Sequence, residues 1–299
     1  MQLVREFKPI REHQKLYSQA VWITIGGNLV LAIGKALVAY LSGSAAIYSD
    51  AANSISDVIY SLLLVLGLYV ATRPPDLSHP QGHSRFEPLT GLIVTLSMFF
   101  ASYAAGNNAI QRYMAGGEVI ALDLPTLVLL GSAGIKAVMF ILIRNIANKL
   151  NSPALKTTSK DNLSDVLTSV AAFIGVLGSS VIHPLADPIA GFLVAVWIFI
   201  QAFKAGKENL GLLTGKGATS EEIDAFVKAV EEVPGVINVH HIMTDYVGPK
   251  LIVDVHINVD GSTTLRDSHA ISDAVAQKLR EFPQVDRAYV HLEPDDWVD

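Results

Sequence analysis

The chain contains no cysteine. That absence excludes a disulfide framework, thiolate zinc ligands and a cysteine nucleophile, and any metal chemistry must use His, carboxylate or amide groups. Charge is also scarce. Only 17% of the 299 residues are charged against 51% hydrophobic, and the mean hydropathy of +0.39 is too apolar for an ordinary soluble two-domain protein. There is no HExxH motif and no general base beside an open metal position, which argues against an intramembrane metallohydrolase, and no enzyme is expected. Met1 to Tyr17 mixes Arg5, Lys8, Arg11 and Lys15 with two glutamates, and no small-residue cleavage site follows the first apolar run. No removable signal peptide is expected.

Six apolar stretches are present: roughly Ser18 to Leu41, Ala45 to Thr72, Pro88 to Tyr113, Leu124 to Ile143, Leu163 to Ile182 and Pro188 to Phe203. Each can span a bilayer, because about 20 residues at roughly 1.5 Å rise cross the approximately 30 Å hydrocarbon layer. The loops alternate in charge. Basic residues fall in the N-terminus, in the Arg73 to Arg85 loop, at Arg144, Lys149, Lys156 and Lys160, and at Lys204, Lys207 and Lys216. The intervening loops around Ser42 to Ser44, Ala115 to Asp123 and His183 to Asp187 hold no Lys or Arg. Since basic loops stay on the cytoplasmic side, both termini should be cytoplasmic, with the protein in the cell (inner or plasma) membrane.

The net charge of -6 is unevenly placed: residues 1–217 hold 16 Lys/Arg against 12 Asp/Glu, and residues 218–299 hold 6 against 16. Two domains are expected, a six-span transmembrane bundle over 1–217 and a cytoplasmic domain over 218–299. The acidic tail disfavours nucleic acid and suits cationic ligands or simple solvation. Its pattern predicts a helix from Ser220, strands over Val236 to Val247 and Lys250 to Asp260, a helix over Thr264 to Phe282 and a strand over Asp286 to Leu292. That α-β-β-α-β order is a small two-layer α+β fold.

Two polar motifs interrupt the apolar segments. Asn53 and Asp57 in the second, and Asp161 and Asp165 at the start of the fifth, are each spaced i, i+4 and share a helix face. Ionisable groups in a bilayer face the bundle interior or a water path and need a partner. A neighbouring base is not expected to supply it here, whereas a divalent cation would neutralise three carboxylates and accept an oxygen shell. The competing reading puts Asp161 at the membrane edge and has Asp57 cap a kink or pair with Lys35 or Lys136.

Two further clusters contain ligand types. Asp76, His79 and His83 lie in the polar loop after the second segment, where imidazoles are more often solvated than ligating. In the tail, His240, His256, His269, His291 and Glu293 are dispersed, and five of the nine histidines fall in its 82 residues. His256 lies on the polar face of its strand, and His291 and Glu293 share a face, so core packing does not explain them.

These features together resemble the cation diffusion facilitators. The resemblance rests on six spans, the NxxxD and DxxxD motifs, the His-x-x-Gly-His-x-Arg-x-Glu-Pro run from His79 to Pro88, and the tail domain. It implies a homodimer in membrane lipid that exports divalent metals in exchange for protons, with a metallochaperone-like cytoplasmic domain. It makes Asn53, Asp57, Asp161 and Asp165 the transport site, Asp76, His79 and His83 a loop site, and the tail residues a site at the cytoplasmic dimer interface. Glu293 stands where the family often has Asp. Zinc members usually place His at the position of Asp161 and His or Asp at that of Asn53, so the oxygen-only set here resembles the manganese branch.

The mechanism expected is alternating access. Metal enters from the cytoplasm, the segments tilt, and protons replace the departing ion on Asp57, Asp161 or Asp165. Mn(II) or Fe(II) is favoured over Zn(II) or Cd(II), since oxygen ligands suit harder ions. The metal is substrate and regulatory ligand, not a catalytic cofactor. A metal-sensing scaffold that binds ions without moving them is the rival function.

Overall fold

The structure is a computed structural model that describes Val4 and residues 11–42, 45–117 and 124–296; within these, the side chains at 42, 45–50, 52, 53, 124–126, 176 and 180 are not described. Backbone contacts divide the chain into two compact units, the first ending at Leu210.

Six long helices build the first unit: α1 (Arg11–Ser42), α2 (Ala45–Ala71), α3 (Phe86–Met114), α4 (Leu124–Leu150), α5 (Pro153–Val181) and α6 (Ala186–Leu213). The shortest have 27 residues, about 40 Å at helical rise and more than the hydrocarbon layer requires. All six contain a window long and apolar enough to cross a membrane. Polarity is inverted relative to a soluble bundle. Trp22, Tyr40, Phe100, Leu193 and Phe203 are exposed, while Asn28, Lys35, Ser61, Thr95, Lys136 and Asn162 are buried. A lipid solvent rewards that arrangement, because apolar groups gain nothing by hiding and polar ones must find partners inside.

Close approach between helices depends on small residues. A Cβ on Gly67 of α2 would collide with the Thr90 side chain of α3, and one on Gly175 of α5 would come within 2.8 Å of the Asp187 backbone of α6. Around Leu64, Leu68, Ile143, Ala147 and Leu155 the helices form an apolar core.

Several helices outrun their apolar segments. The expected fifth span, from Leu163, starts ten residues too late: α5 begins at Pro153. Ser152 caps it, accepting from the Leu155 N–H at 3.2 Å, and proline occupies the first turn, where its missing N–H costs nothing. Thr157 and Thr158 donate their hydroxyls to the carbonyls of Pro153 and Ala154. These polar residues satisfy themselves along the helix, so they do not end it. As a result Asp161 lies in the third turn of α5 and not at its start.

The second unit contains α7 (Ser220–Glu231), β1 (Asn238–Val247), β2 (Lys250–Val259), α8 (Leu265–Arg280) and β3 (Val285–Pro294). Its order is the expected α-β-β-α-β, with β1 starting two residues after Val236 and β3 running two residues beyond Leu292. Thr219 and Glu222 form a reciprocal capping box at α7, and Thr264 caps α8, each meeting otherwise orphaned N–H groups. β1 pairs antiparallel with β2, and β3 parallel with β2 on its other edge, which α8 makes possible as the crossover. Leu251, Val253, Val255 and Ile257 alternate into a core with Phe226, Val230, Val275 and Leu279. The other face of β2 presents Asp254, His256 and Asn258, and the sheet is therefore polar on one side.

Candidate metal sites

In the bundle interior, Asp57 of α2 and Asp161 of α5 line one small cavity together with Thr24, Asn28, Ser61 and Asn162. It has about 20 Å³ of room, enough for one water or ion. Asn28 donates to the Ser61 hydroxyl at 2.7 Å, leaving its Oδ1 buried without a hydrogen-bond partner, as is Asn162 Nδ2. Buried orphan polar atoms beside a cavity are what a hydrated or ion-holding pocket offers. Asp165, one turn beyond Asp161, belongs to the same group through Lys136. The side chain of Asn53 lies outside the described residues.

Lys136 changes the reading of the site. Its Nζ donates to Asp57 Oδ2 at 3.0 Å and sits 2.7 Å from Asp165 Oδ2, where the pair is electrostatic and off the hydrogen-bonding direction. The expectation that no neighbouring base partners these carboxylates is therefore incorrect. A lysine 79 residues from Asp57 reaches it because α4 packs against α5 and against α1, which in turn packs against α2. Sequence reasoning had this residue only in the competing reading. Its signal was a charge at mid-segment, which has to find a partner across helices.

The loop cluster does converge. Asp76, His79 and His83 place one ligand atom each within 4.8 Å of one another. Asp76 Oδ2 lies 3.4 Å from His83 Nε2 and Asp76 Oδ1 lies 3.5 Å from His79 Nδ1. The His79 backbone N–H donates to Asp76 Oδ1 at 2.7 Å, and this bond, with help from the neighbouring imidazoles, holds the Asp76 carboxyl below its ordinary range. His83 is buried, and its Nδ1 has no hydrogen-bond partner. Glu87, in the same sequence run, has a different role: it is 2% exposed and accepts from the Tyr17 hydroxyl at 3.0 Å, tying α1 to the start of α3.

In the tail unit, one carboxylate gathers three imidazoles. Glu293 lies 3.2 Å from His240 Nε2, 3.3 Å from His291 Nε2 and 3.6 Å from His256 Nδ1. His240, His256 and Glu293 meet the 4.8 Å criterion. Register explains the convergence, since His256 is opposite His291 and Asn258 opposite Glu293 across the parallel pair. Asn258 Oδ1 contacts His240 Nδ1 at 3.0 Å.

A bulge supplies the remaining member. Val239 pairs with Ile257 and His241 with His256, so His240 is an extra residue in β1. In a regular strand His240 and His241 would point to opposite faces. Here both rings stand beside His256, with centroids 5.6 and 4.8 Å away. The sequence pattern did not single out His241, which regular alternation would place on the face opposite His240. His269 is not brought into the group: it is exposed on α8 and faces Asp273 on its own helix at 3.6 Å.

Six membrane-length helices around a carboxylate interior, with a polar-faced tail domain bearing clustered imidazoles, define a multi-pass membrane protein equipped for metal ions. Comparison with known proteins is consistent with that class. Residues 21–214 match the cation efflux transmembrane domain and residues 218–295 the cation efflux protein cytoplasmic domain. The chain belongs to the cation efflux family, the cation diffusion facilitators, which are metal transporters and not enzymes. It is 34% identical over 271 residues to an uncharacterized transporter of Methanocaldococcus jannaschii, covering 91% of this chain and 96% of the relative. It is similar also to the manganese efflux system protein MneS of Bacillus subtilis, with 28% identity over 276 residues and coverage of 91% and 93%. Magnetosome protein MamM of Magnetospirillum gryphiswaldense is 29% identical over 269 residues, with coverage of 85% and 80%.

Proposed function

We propose that this protein exports Mn(II) or Fe(II) in preference to Zn(II) by alternating access, protons entering the carboxylates that the ion leaves. The observation that carries this is the gathering of Asp57, Asp161 and Asp165 in the bundle interior, two of them on one ion-sized cavity. Asn53, one turn before Asp57, completes an oxygen-only set with no imidazole to favour zinc. Similarity to MneS over most of both chains supports the same preference.

The other clusters fit supporting roles. Asp76, His79 and His83 form a loop site, and His240, His256, His291 and Glu293, with His241 at hand, form a regulatory site in a homodimer. Residues 1–217 are the membrane domain and 218–299 the cytoplasmic domain, with both termini cytoplasmic in the cell membrane. Metal held by the tail cluster favours one arrangement of the dimer.

Vesicles reconstituted with the purified protein test this reading. An imposed Mn(II) gradient should drive uptake that the Asp57→Ala/Asp165→Ala variant abolishes while its dimer stays intact. If the wild type moves neither manganese, iron nor zinc, the protein is a scaffold that binds ions without transporting them.

A further inference from the structure

The interior site already contains a cation of the protein's own. Lys136 has a side chain only 6% exposed and is held between carboxylates of two different helices, 3.0 Å from Asp57 of α2 and 2.7 Å from Asp165 of α5. Only the first contact is a hydrogen bond. Lys35 of α1, also buried, lies within electrostatic reach of Asp57. An ammonium on a four-carbon stem is compact and rotatable, unlike a guanidinium, which grips two carboxylates through a planar fork.

An ammonium that bridges Asp57 and Asp165 engages one oxygen of each, the same oxygens a metal ion bound to both carboxylates would use. The two cations exclude one another, and the dication has twice the attraction for each oxygen at equal distance. When the ion leaves, two carboxylates would face each other in a low-dielectric interior without compensation. A tethered ammonium returns at high effective concentration and removes that cost.

We propose that Lys136 is a built-in counter-cation that neutralises Asp57 and Asp165 of the divalent-metal site between transport events, and that the metal displaces its ammonium from these carboxylates to bind. Lys136 thereby lowers the affinity of the site and speeds release of the ion. This rests on the assignment of the interior carboxylates as the transport site.

The test uses the full-length protein, with Mn(II) as the probe. Equilibrium binding in detergent and flux into vesicles are measured for the wild type, Lys136→Met and Lys136→Arg. The transport-site component of binding is the part lost in Asp57→Ala/Asp165→Ala. Lys136→Met, which keeps the apolar stem and removes the charge, should bind Mn(II) at that component at least ~10-fold more tightly. Its KM and kcat should both fall, the signature of a ground state held too strongly. Lys136→Arg, which retains the charge needed for folding, should bind Mn(II) at least ~10-fold more weakly because its fork holds both carboxylates. Unchanged or weaker binding in a folded Lys136→Met protein overturns the proposal. If that variant does not fold, unchanged or tighter binding in Lys136→Arg overturns it. Should Asp57→Ala/Asp165→Ala still bind and transport like the wild type, the site assignment itself fails. If that variant is inactive while the Lys136 variants match the wild type, only the counter-cation role is lost.

Discussion

Replacing Glu293 by Gln removes the carboxylate that His240, His256 and His291 share in the tail domain and alters little else. The carboxylate is 17% exposed and lies 3.2 to 3.6 Å from nitrogens of His240, His291 and His256. A divalent ion entering there would exchange those contacts for coordination, with Glu293 supplying the negative charge. Changes to groups that only orient metal ligands cost about 10–100-fold in affinity. Loss of the charged ligand itself belongs at the upper end, about 100-fold, or roughly 2.8 kcal/mol. Glu293 projects from the sheet face opposite the core of Leu251, Val253, Val255 and Ile257, so folding stability should stay within about 0.5 kcal/mol. Calorimetric titration of the full-length protein in detergent with Mn(II) and Zn(II), beside thermal unfolding, reads both quantities. A variant that keeps the wild-type number of sites and affinities would refute the assignment of this cluster as a metal site. A large loss of stability would refute the placement of Glu293 outside the core.

Three other outcomes follow from particular contacts. Asp161→His should shift the transport preference toward Zn(II), since imidazole is the ligand that oxygen-only coordination lacks; a metal competition profile identical to the wild type would count against oxygen-based selectivity. Gly67→Val should destabilise the bundle by about 1–3 kcal/mol, because its side chain meets Thr90, and would be seen as a lower unfolding temperature in detergent. The Asp260 carboxyl is held below its ordinary range first by the Ser262 hydroxyl and then by the Ser262 N–H. Its contribution to stability is present above the ordinary value and is lost as pH falls through the lowered one. Ser262→Ala should therefore raise the Asp260 titration toward the usual carboxylate range, and carbon NMR of labelled aspartate would detect no change if the hydroxyl is unimportant.

Much of the architecture was legible because it depends on local pattern. Apolar runs marked every membrane helix, and strict alternation from Leu251 to Val259 marked β2 as a strand with one buried face. Helix ends were less legible. Ser152-Pro153 begins α5 among polar residues, and hydroxyl bonds along the helix from Thr157 and Thr158 hide them from a search for apolar runs. The ligand types of the three clusters were also legible, since carboxylate and imidazole placed in apolar or unpacked positions need an explanation wherever they occur.

The sequence alone determined that this protein spans a membrane, that Asp57 shares a helix face with Asn53 and Asp161 one with Asp165, and that its tail is an acidic α+β domain. Each follows from periodicity and composition, which act over a turn or a strand. Only the tertiary structure decided what those carboxylates face. Lys136 lies on another helix, and no spacing along the chain connects it to Asp57 or Asp165. The same holds for the tail cluster, where a register shift at His240 lets the rings of both His240 and His241 stand beside His256 and where His269 is left outside. Contacts between elements arise from packing, and packing is a property of the fold as a whole.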